Sequence, residues 1–304
     1  MTDICALGEL LVDFTPAGIS ETGMQLFERN PGGAPANVAA AGARLGLRTA
    51  FIGKLGGDGH GRFLRSALQK EGVELRGLVT DPSVSTTLAF VELSEEGERS
   101  FSFVRSGCGD TMLRPEELDE ELIRSSRVLH LGTLSLTDEP SRSALYRAVR
   151  IAESAGVPIS CDLNWRPPLW PDKAAFVRAS AELLEHVTLL KATDEEASLI
   201  TGENDYRKAA AVLKERFGIE TAAITLGEKG AYLDGAACPA FPAQAVDTTG
   251  AGDCFWAALL YDRLSSAGLG LPFACAAASL CVARRGAIPA MPTLEEVLGL
   301  LASR

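Results

Sequence analysis

The residues Asp247-Thr248-Thr249-Gly250-Ala251-Gly252-Asp253 stand directly before the apolar run 254–260. In that order a glycine turn opens a buried helix whose first turn carries an acid. Small residues at Gly250, Ala251 and Gly252 let a ligand approach the backbone, and N–H groups not yet claimed by helix bonds can point at an anion. Such a turn suits a phosphate. Asp253 beside it can orient or deprotonate a hydroxyl, so turn and acid together supply what phosphoryl transfer from a nucleotide to an alcohol requires. The helix dipole alone also favours an acid at that place, so these residues by themselves fit an ordinary tight connection as well.

Other residues have types and positions that suit a polyol. Gly32-Gly33-Ala34-Pro35-Ala36-Asn37 precedes the helical run 38–45, where two glycines permit backbone approach and the Asn37 amide can bond paired hydroxyls. Taken alone, Gly-Gly before a helix is a turn. Asp13 follows a first strand; an ionised carboxylate accepts two hydrogen bonds and suits a vicinal diol, while the plain alternative is a solvated strand-end acid. Asp162, Asn164 and Arg166 end another predicted strand, where ligands of an open parallel sheet gather, and prolines 167 and 168 exclude regular helix.

The elements that must position these groups alternate. Strand-like runs at 4–7, 49–52, 128–131, 159–162, 187–190 and 222–225 alternate with helical patterns at 36–45, 61–71, 141–155, 173–184, 206–217, 252–264 and 295–301. That order predicts an α/β fold with a doubly wound, mostly parallel sheet flanked by helices and with ligands at the carboxyl ends of its strands. One domain over 1–304 is expected, with a small β-strand lid contributed by about 10–30 and 86–107. Within the lid, 86–93 and 100–105 read as a hairpin around the polar turn 94–99, and the consecutive apolar residues Leu88 to Val91 ask for burial on both faces. Homodimerisation through this lid is the corresponding expectation.

Composition narrows the function class. With a net charge of −11 over 304 residues, neither a nucleic-acid nor an anionic-membrane partner is expected. Seven scattered cysteines without a CxxC pair suggest neither a disulfide framework nor a zinc site and fit reduced thiols in the cytoplasm. The N-terminus shows no secretory signal, and the apolar stretch 269–283 is short and interrupted by Pro272, so it reads as a packed core helix. A cytoplasmic enzyme is expected.

Both glycine motifs, in this order and far apart, match the two signatures of the ribokinase-like (PfkB) carbohydrate kinases, and the chain most resembles the fructokinases among them. Matching segments run from Gly8-Glu9-Leu10-Leu11-Val12-Asp13-Phe14 to Gly286-Ala287-Ile288-Pro289 and include 30–39, 51–56, 162–170 and 224–230. The resemblance implies Asp253 as catalytic base and Gly250, Ala251 and Gly252 as an anion hole. It implies a sugar site from Asp13, Gly32, Gly33, Asn37, Arg105, Asn164 and Arg166, although Gly109 and Trp165 replace an alanine and a leucine of the fructokinase pattern. For ATP it implies Lys191, Glu196, Thr225, Gly227 and Gly230, with Glu196 holding Mg2+ through water. Asp247 and Thr249, with backbone oxygens around 282–286, resemble a monovalent-cation site for K+; an Asp side chain capping its own turn is the equal alternative. The implied reaction converts D-fructose and ATP to D-fructose 6-phosphate and ADP. Rivals are 2-keto-3-deoxygluconate kinase, aminoimidazole riboside kinase, ribokinase and a catalytically silent sugar-binding regulator.

Overall fold

The computed structural model of the protein describes residues 1–93 and 99–303. Its strands are β1 (Thr2–Leu7), β2 (Leu11–Ile19), β3 (Gln25–Gly32), β4 (Thr49–Gly56), β5 (Leu78–Asp81), β6 (Leu88–Leu93), β7 (Arg99–Val104), β8 (Ser126–Gly132), β9 (Ile159–Asp162), β10 (Leu189–Thr193), β11 (Thr221–Thr225), β12 (Ala231–Leu233) and β13 (Ala236–Cys238). Nine of them form one sheet in the order β13-β12-β11-β10-β9-β8-β1-β4-β5, parallel from β11 to β5 and antiparallel at the β12 and β13 edge. The helices are α1 (Ala34–Arg44), α2 (Gly59–Lys70), α3 (Glu120–Arg124), α4 (Ser141–Ala155), α5 (Lys173–Leu184), α6 (Asp194–Thr201), α7 (Tyr206–Phe217), α8 (Ala251–Ser265), α9 (Gly270–Val282) and α10 (Leu294–Ala302).

Strand alternation decides the layers. Cys5 and Leu7 of β1, Leu129 and Leu131 of β8, and Leu190 and Ala192 of β10 enter one core with α3 to α7. Their neighbours Ile4, Val128 and Leu189 enter a second core with α1, α8, α9 and α10, and Ala6 a third with α1 and α2. Both faces of the sheet are therefore covered, which is why these strands read as continuous apolar runs.

The four remaining strands form a smaller sheet in the order β3-β2-β6-β7, in which β2 and β6 pair in parallel and the outer pairs are antiparallel. Phe14 of β2 stacks on Phe90 of β6 with centroids 5.0 Å apart and meets His60 of α2 edge-on at 5.7 Å, which fastens this sheet to the larger layer. Ile19, Met24, Leu26, Phe27 and Val104 remain exposed on it.

Several boundaries differ from expectation. Asp13 lies inside β2, in the smaller sheet, because the chain turns out of β1 at Gly8 and resumes extended structure from Leu11. The strand expected at 187–190 begins at Leu189 and continues through Lys191 to Thr193. A lysine does not end it because Asp162 on the adjacent strand neutralises the charge. Arg99 belongs to β7 rather than to the hairpin turn, whose residues 94–98 lie outside the described residues. All seven cysteines are buried, and none forms a disulfide. Among the described residues, no helix is long and apolar enough to cross a membrane.

Candidate active site

Backbone register brings the polar residues of four neighbouring strands into line. Gly132 of β8 pairs with Asp162 of β9, Asp162 with Lys191 of β10, and Thr193 of β10 with Thr225 of β11. Above this row lie the starts of α1 and α8. Gly250, at φ 79°, is the N-cap of α8 and offers no side-chain cap; Ala251 N donates to the Thr248 carbonyl at 3.3 Å, and the first-turn N–H groups after it stay available to an anion. A Cβ at Gly252 would stand 2.9 Å from Lys191 Nζ, so the ammonium lies directly beneath the turn.

Asp253, in the first turn of α8, is buried, and its Oδ2 accepts a 2.8 Å hydrogen bond from Asn37 Nδ2 of α1. Burial pushes its pKa above the ordinary aspartate value, while Lys191, the Asn37 bond and Arg166 pull the other way and the Glu196 charge adds to the rise. A carboxylate raised in this manner can take up a proton from a hydroxyl. Asn37 Oδ1 and Asn164 Nδ2 are buried and have no hydrogen-bond partner. Buried polar atoms are nearly always satisfied, so these two are the natural places for a hydroxyl-bearing ligand.

Asp13 is pushed up to about 7, chiefly by burial and further by Asp247 and Asp253, against the opposing pull of Arg166. Its side chain keeps part of its surface open. A Cβ at Gly32 would fall on the Asp13 carboxylate, which explains the glycine sterically. Asn164 holds φ 51°, and Arg166 donates to Asn164 Oδ1 at 3.2 Å and to the Trp165 carbonyl at 3.1 Å. Thus Asp13, Asn37, Asn164, Arg166 and Asp253 gather around one place.

Arg105 follows β7 at the base of the smaller sheet and makes four hydrogen bonds from its three nitrogens. It donates to Asp110 at 2.7 Å, Thr137 at 2.6 Å, Asp138 at 3.1 Å and the Leu134 carbonyl at 2.9 Å. On the other side, Lys191 Nζ lies 3.0 Å from both Asp162 carboxylate oxygens. Glu196 is buried at the first turn of α6 and forms a capping box with Thr193. Thr225 ends β11, and Gly227 and Gly230, both at positive φ, shape the connection to β12. Asp247 caps its own turn by accepting from Thr249 N at 3.0 Å and Thr249 Oγ1 at 2.7 Å, and joins that turn to the segment after α9 by accepting from Gly286 N at 3.1 Å.

Three features escaped the sequence reading. Glu9 caps α1 from outside by accepting from Ala34 N at 2.8 Å; its Oε2 has no partner and burial pushes its pKa to about 7. Asp162 is the counter-ion of Lys191; an acid ending one apolar strand and a lysine directly after the next apolar run were the available signal. Trp256, one turn after Asp253, donates to Ser160 Oγ at 2.8 Å, and Ser160 meets His130 Nδ1 at 2.9 Å, which anchors α8 to the sheet.

Residues 1–294 match the model of the pfkB family carbohydrate kinases. The chain belongs to that family. This kinase is 40% identical to probable fructokinase-4 of Arabidopsis thaliana over 98% of its own length and 96% of the relative's. Its fold is similar to a putative ribokinase II from E. coli in complex with ATP and Mg2+, with a TM-score of 0.91, 27% identity and full coverage of both chains. It is also similar to a fructokinase double mutant from Vibrio cholerae O395 with fructose, ADP and potassium ion bound, with a TM-score of 0.88 and 29% identity over 99% and 98% of the two chains. A sugar phosphotransferase on a ribokinase-like scaffold is thereby established.

Proposed function

We propose that this carbohydrate kinase transfers the γ-phosphoryl group of ATP to the primary 6-hydroxyl of D-fructose. The observation that carries the reading is the buried Asp253 on a helix turn without a side-chain cap, bonded to Asn37, whose Oδ1, like Asn164 Nδ2, is buried without a partner. Likeness to fructokinases at 40% identity selects the sugar. Asp253 accepts the hydroxyl proton as the sugar oxygen bonds to the γ-phosphorus and ADP leaves. N–H groups of Gly250 to Gly252, backed by Lys191, bind the charge on the phosphoryl oxygens. Asp13, Asn37, Asn164 and Arg166 hold the sugar hydroxyls, and Arg105 sets the base of the lid.

Among the described residues no group of three His, Cys, Asp or Glu side chains could cage a metal. Mg2+ is commonly held by nucleotide phosphates, waters and one or two carboxylates. Glu196 has lone pairs left for such a water, and the ion would neutralise phosphate charge. Asp247 and Thr249 would border a K+ site that orders the anion-hole loop; the likeness to a kinase with potassium ion bound supports this. The exposed apolar side chains of the smaller sheet support a homodimer through the lid, to be measured by sedimentation. Seven buried cysteines without a disulfide support action in a reducing compartment such as the cytoplasm.

A coupled ADP-release assay with MgATP and potassium tests the reading against fructose, ribose, 2-keto-3-deoxygluconate and aminoimidazole riboside. Turnover on fructose supports it. Turnover only on another acceptor retains the chemistry and replaces the sugar, and sugar binding without turnover on any acceptor supports the silent regulator.

A further inference from the structure

Glu196 has both carboxylate oxygens committed to backbone donors from two different segments. Oε2 accepts from Thr193 N at 2.8 Å, within the capping box of α6 on the nucleotide side. Oε1 accepts from Trp165 N at 2.7 Å, in the loop after β9 that carries Asn164 and Arg166 on the sugar side. Glu196 is only 4% exposed, so neither bond is readily replaced by solvent.

The loop it grips needs holding. Asn164 sits at φ 51°, a region that a non-glycine residue occupies at a cost, and its Nδ2 is unpartnered. Leu163, just before this unit, is held by the Lys191 carbonyl at 3.4 Å and by Thr133 Oγ1, and Arg166 bonds the Asn164 side chain and the Trp165 carbonyl, so Trp165 N–H ties the unit itself to α6. The Trp165 ring packs on Phe176 at 4.4 Å, which fixes the loop's outer side but not the rotation of its backbone.

We propose that Glu196 is a positioning residue for the acceptor sugar, clamping the Asn164–Arg166 loop to the first turn of α6 independently of any metal it serves. The clamp makes one carboxylate common to the two substrate sides, so sugar affinity depends on it even without nucleotide. The affinity part of the test rests on the sugar-kinase reading; the backbone part does not.

The test uses the full-length protein and the Glu196→Gln variant, with Mg2+ and nucleotide absent. Glutamine has a single accepting oxygen, so it satisfies one of the two N–H groups and turns an NH2 toward the other. Fructose affinity by calorimetry is expected to fall about tenfold, as for loss of one charge-assisted hydrogen bond. Hydrogen exchange in peptides covering 163–168 is expected to quicken about tenfold or more, with α4 peptides unchanged. Thr193→Ala, which removes the other half of the capping box and spares the Trp165 bond, is expected to bind fructose as wild type does. Should Glu196→Gln fail to fold, Glu196→Asp decides, since it keeps the charge and shortens the reach; it too is expected to weaken fructose binding. Wild-type sugar affinity or unchanged 163–168 exchange in the deciding variant overturns the clamp, as does an equal sugar defect in Thr193→Ala. Wild type that binds none of the four candidate acceptors overturns both the clamp and the sugar-kinase reading, whereas wild-type binding with an unaffected variant overturns the clamp alone.

Discussion

Asn37 Nδ2 donates to Asp253 Oδ2 at 2.8 Å, joining the starts of α1 and α8 across 216 residues of chain. The two glycine motifs that stand far apart in sequence are therefore one site. The bond fixes the rotation of the carboxylate and opposes the rise in pKa that burial imposes on it.

Replacing Asp253 by Ala removes the proton acceptor and little of the sugar's binding surface. Turnover is expected to fall by about 10² to 10⁴, with sugar affinity near wild type by titration. Unchanged kcat excludes Asp253 as base.

Asn37→Leu deletes a bond that favours the ionised form of Asp253. The pKa of Asp253 should rise further, so the acidic limb of the kcat pH profile moves to higher pH. Loss of kcat/KM by about tenfold at neutral pH accompanies it. A profile that keeps its acidic limb would separate that limb from Asp253.

Glu9 supplies a stability test with a defined sign. Burial raises its folded-state pKa to about 7 from an ordinary 4.5, so the folded protein binds the extra proton and the unfolded chain does not between those values. Stability from this group is present below about 4.5 and is lost as pH rises through about 7. Glu9→Gln keeps an acceptor for Ala34 N–H and removes the titration. Relative to wild type it is expected to gain on the order of 1–3 kcal/mol above pH 7 and little below pH 5, measured by urea unfolding at both pH values. A constant difference across that range counts against Glu9 as the group responsible.

The Asp162 and Lys191 pair is buried on both sides. Lys191→Met alone leaves a carboxylate without its counter-ion and should cost about 3–5 kcal/mol in unfolding experiments. Adding Asp162→Asn should recover much of that loss, since two neutral side chains then share the site. A double variant no more stable than the single one refutes the pairing argument.

Much of this architecture is legible in the sequence because strict local rules generate it. The helices at 141–155, 173–184 and 206–217 carry an uninterrupted apolar face between clear starts and stops, and their limits match the structure. Both glycine motifs open helices where expected. What sequence order hides is pairing between distant strands. Lys191 reads as the end of a strand until Asp162 is seen beside it, and Glu9 reads as a loop acid until the N-terminus of α1 is seen over it. Arg105 shows the same limit, because its four partners lie 5 to 33 residues away and no spacing rule connects them.

The seven buried thiols give the molecule an internal clock of its own opening. Burial raises the pKa of Cys5 and Cys161, and a hydrogen bond with Cys281, with burial, raises that of Cys254, which suppresses the reactive thiolate while the fold is closed. They are distributed over β1, the base of the lid, β9, the β13 edge, α8 and α9. A thiol reagent followed by mass spectrometry would thus time the exposure of each layer separately, and ligands that close the site should slow labelling at Cys254 beside Asp253 before they slow it elsewhere.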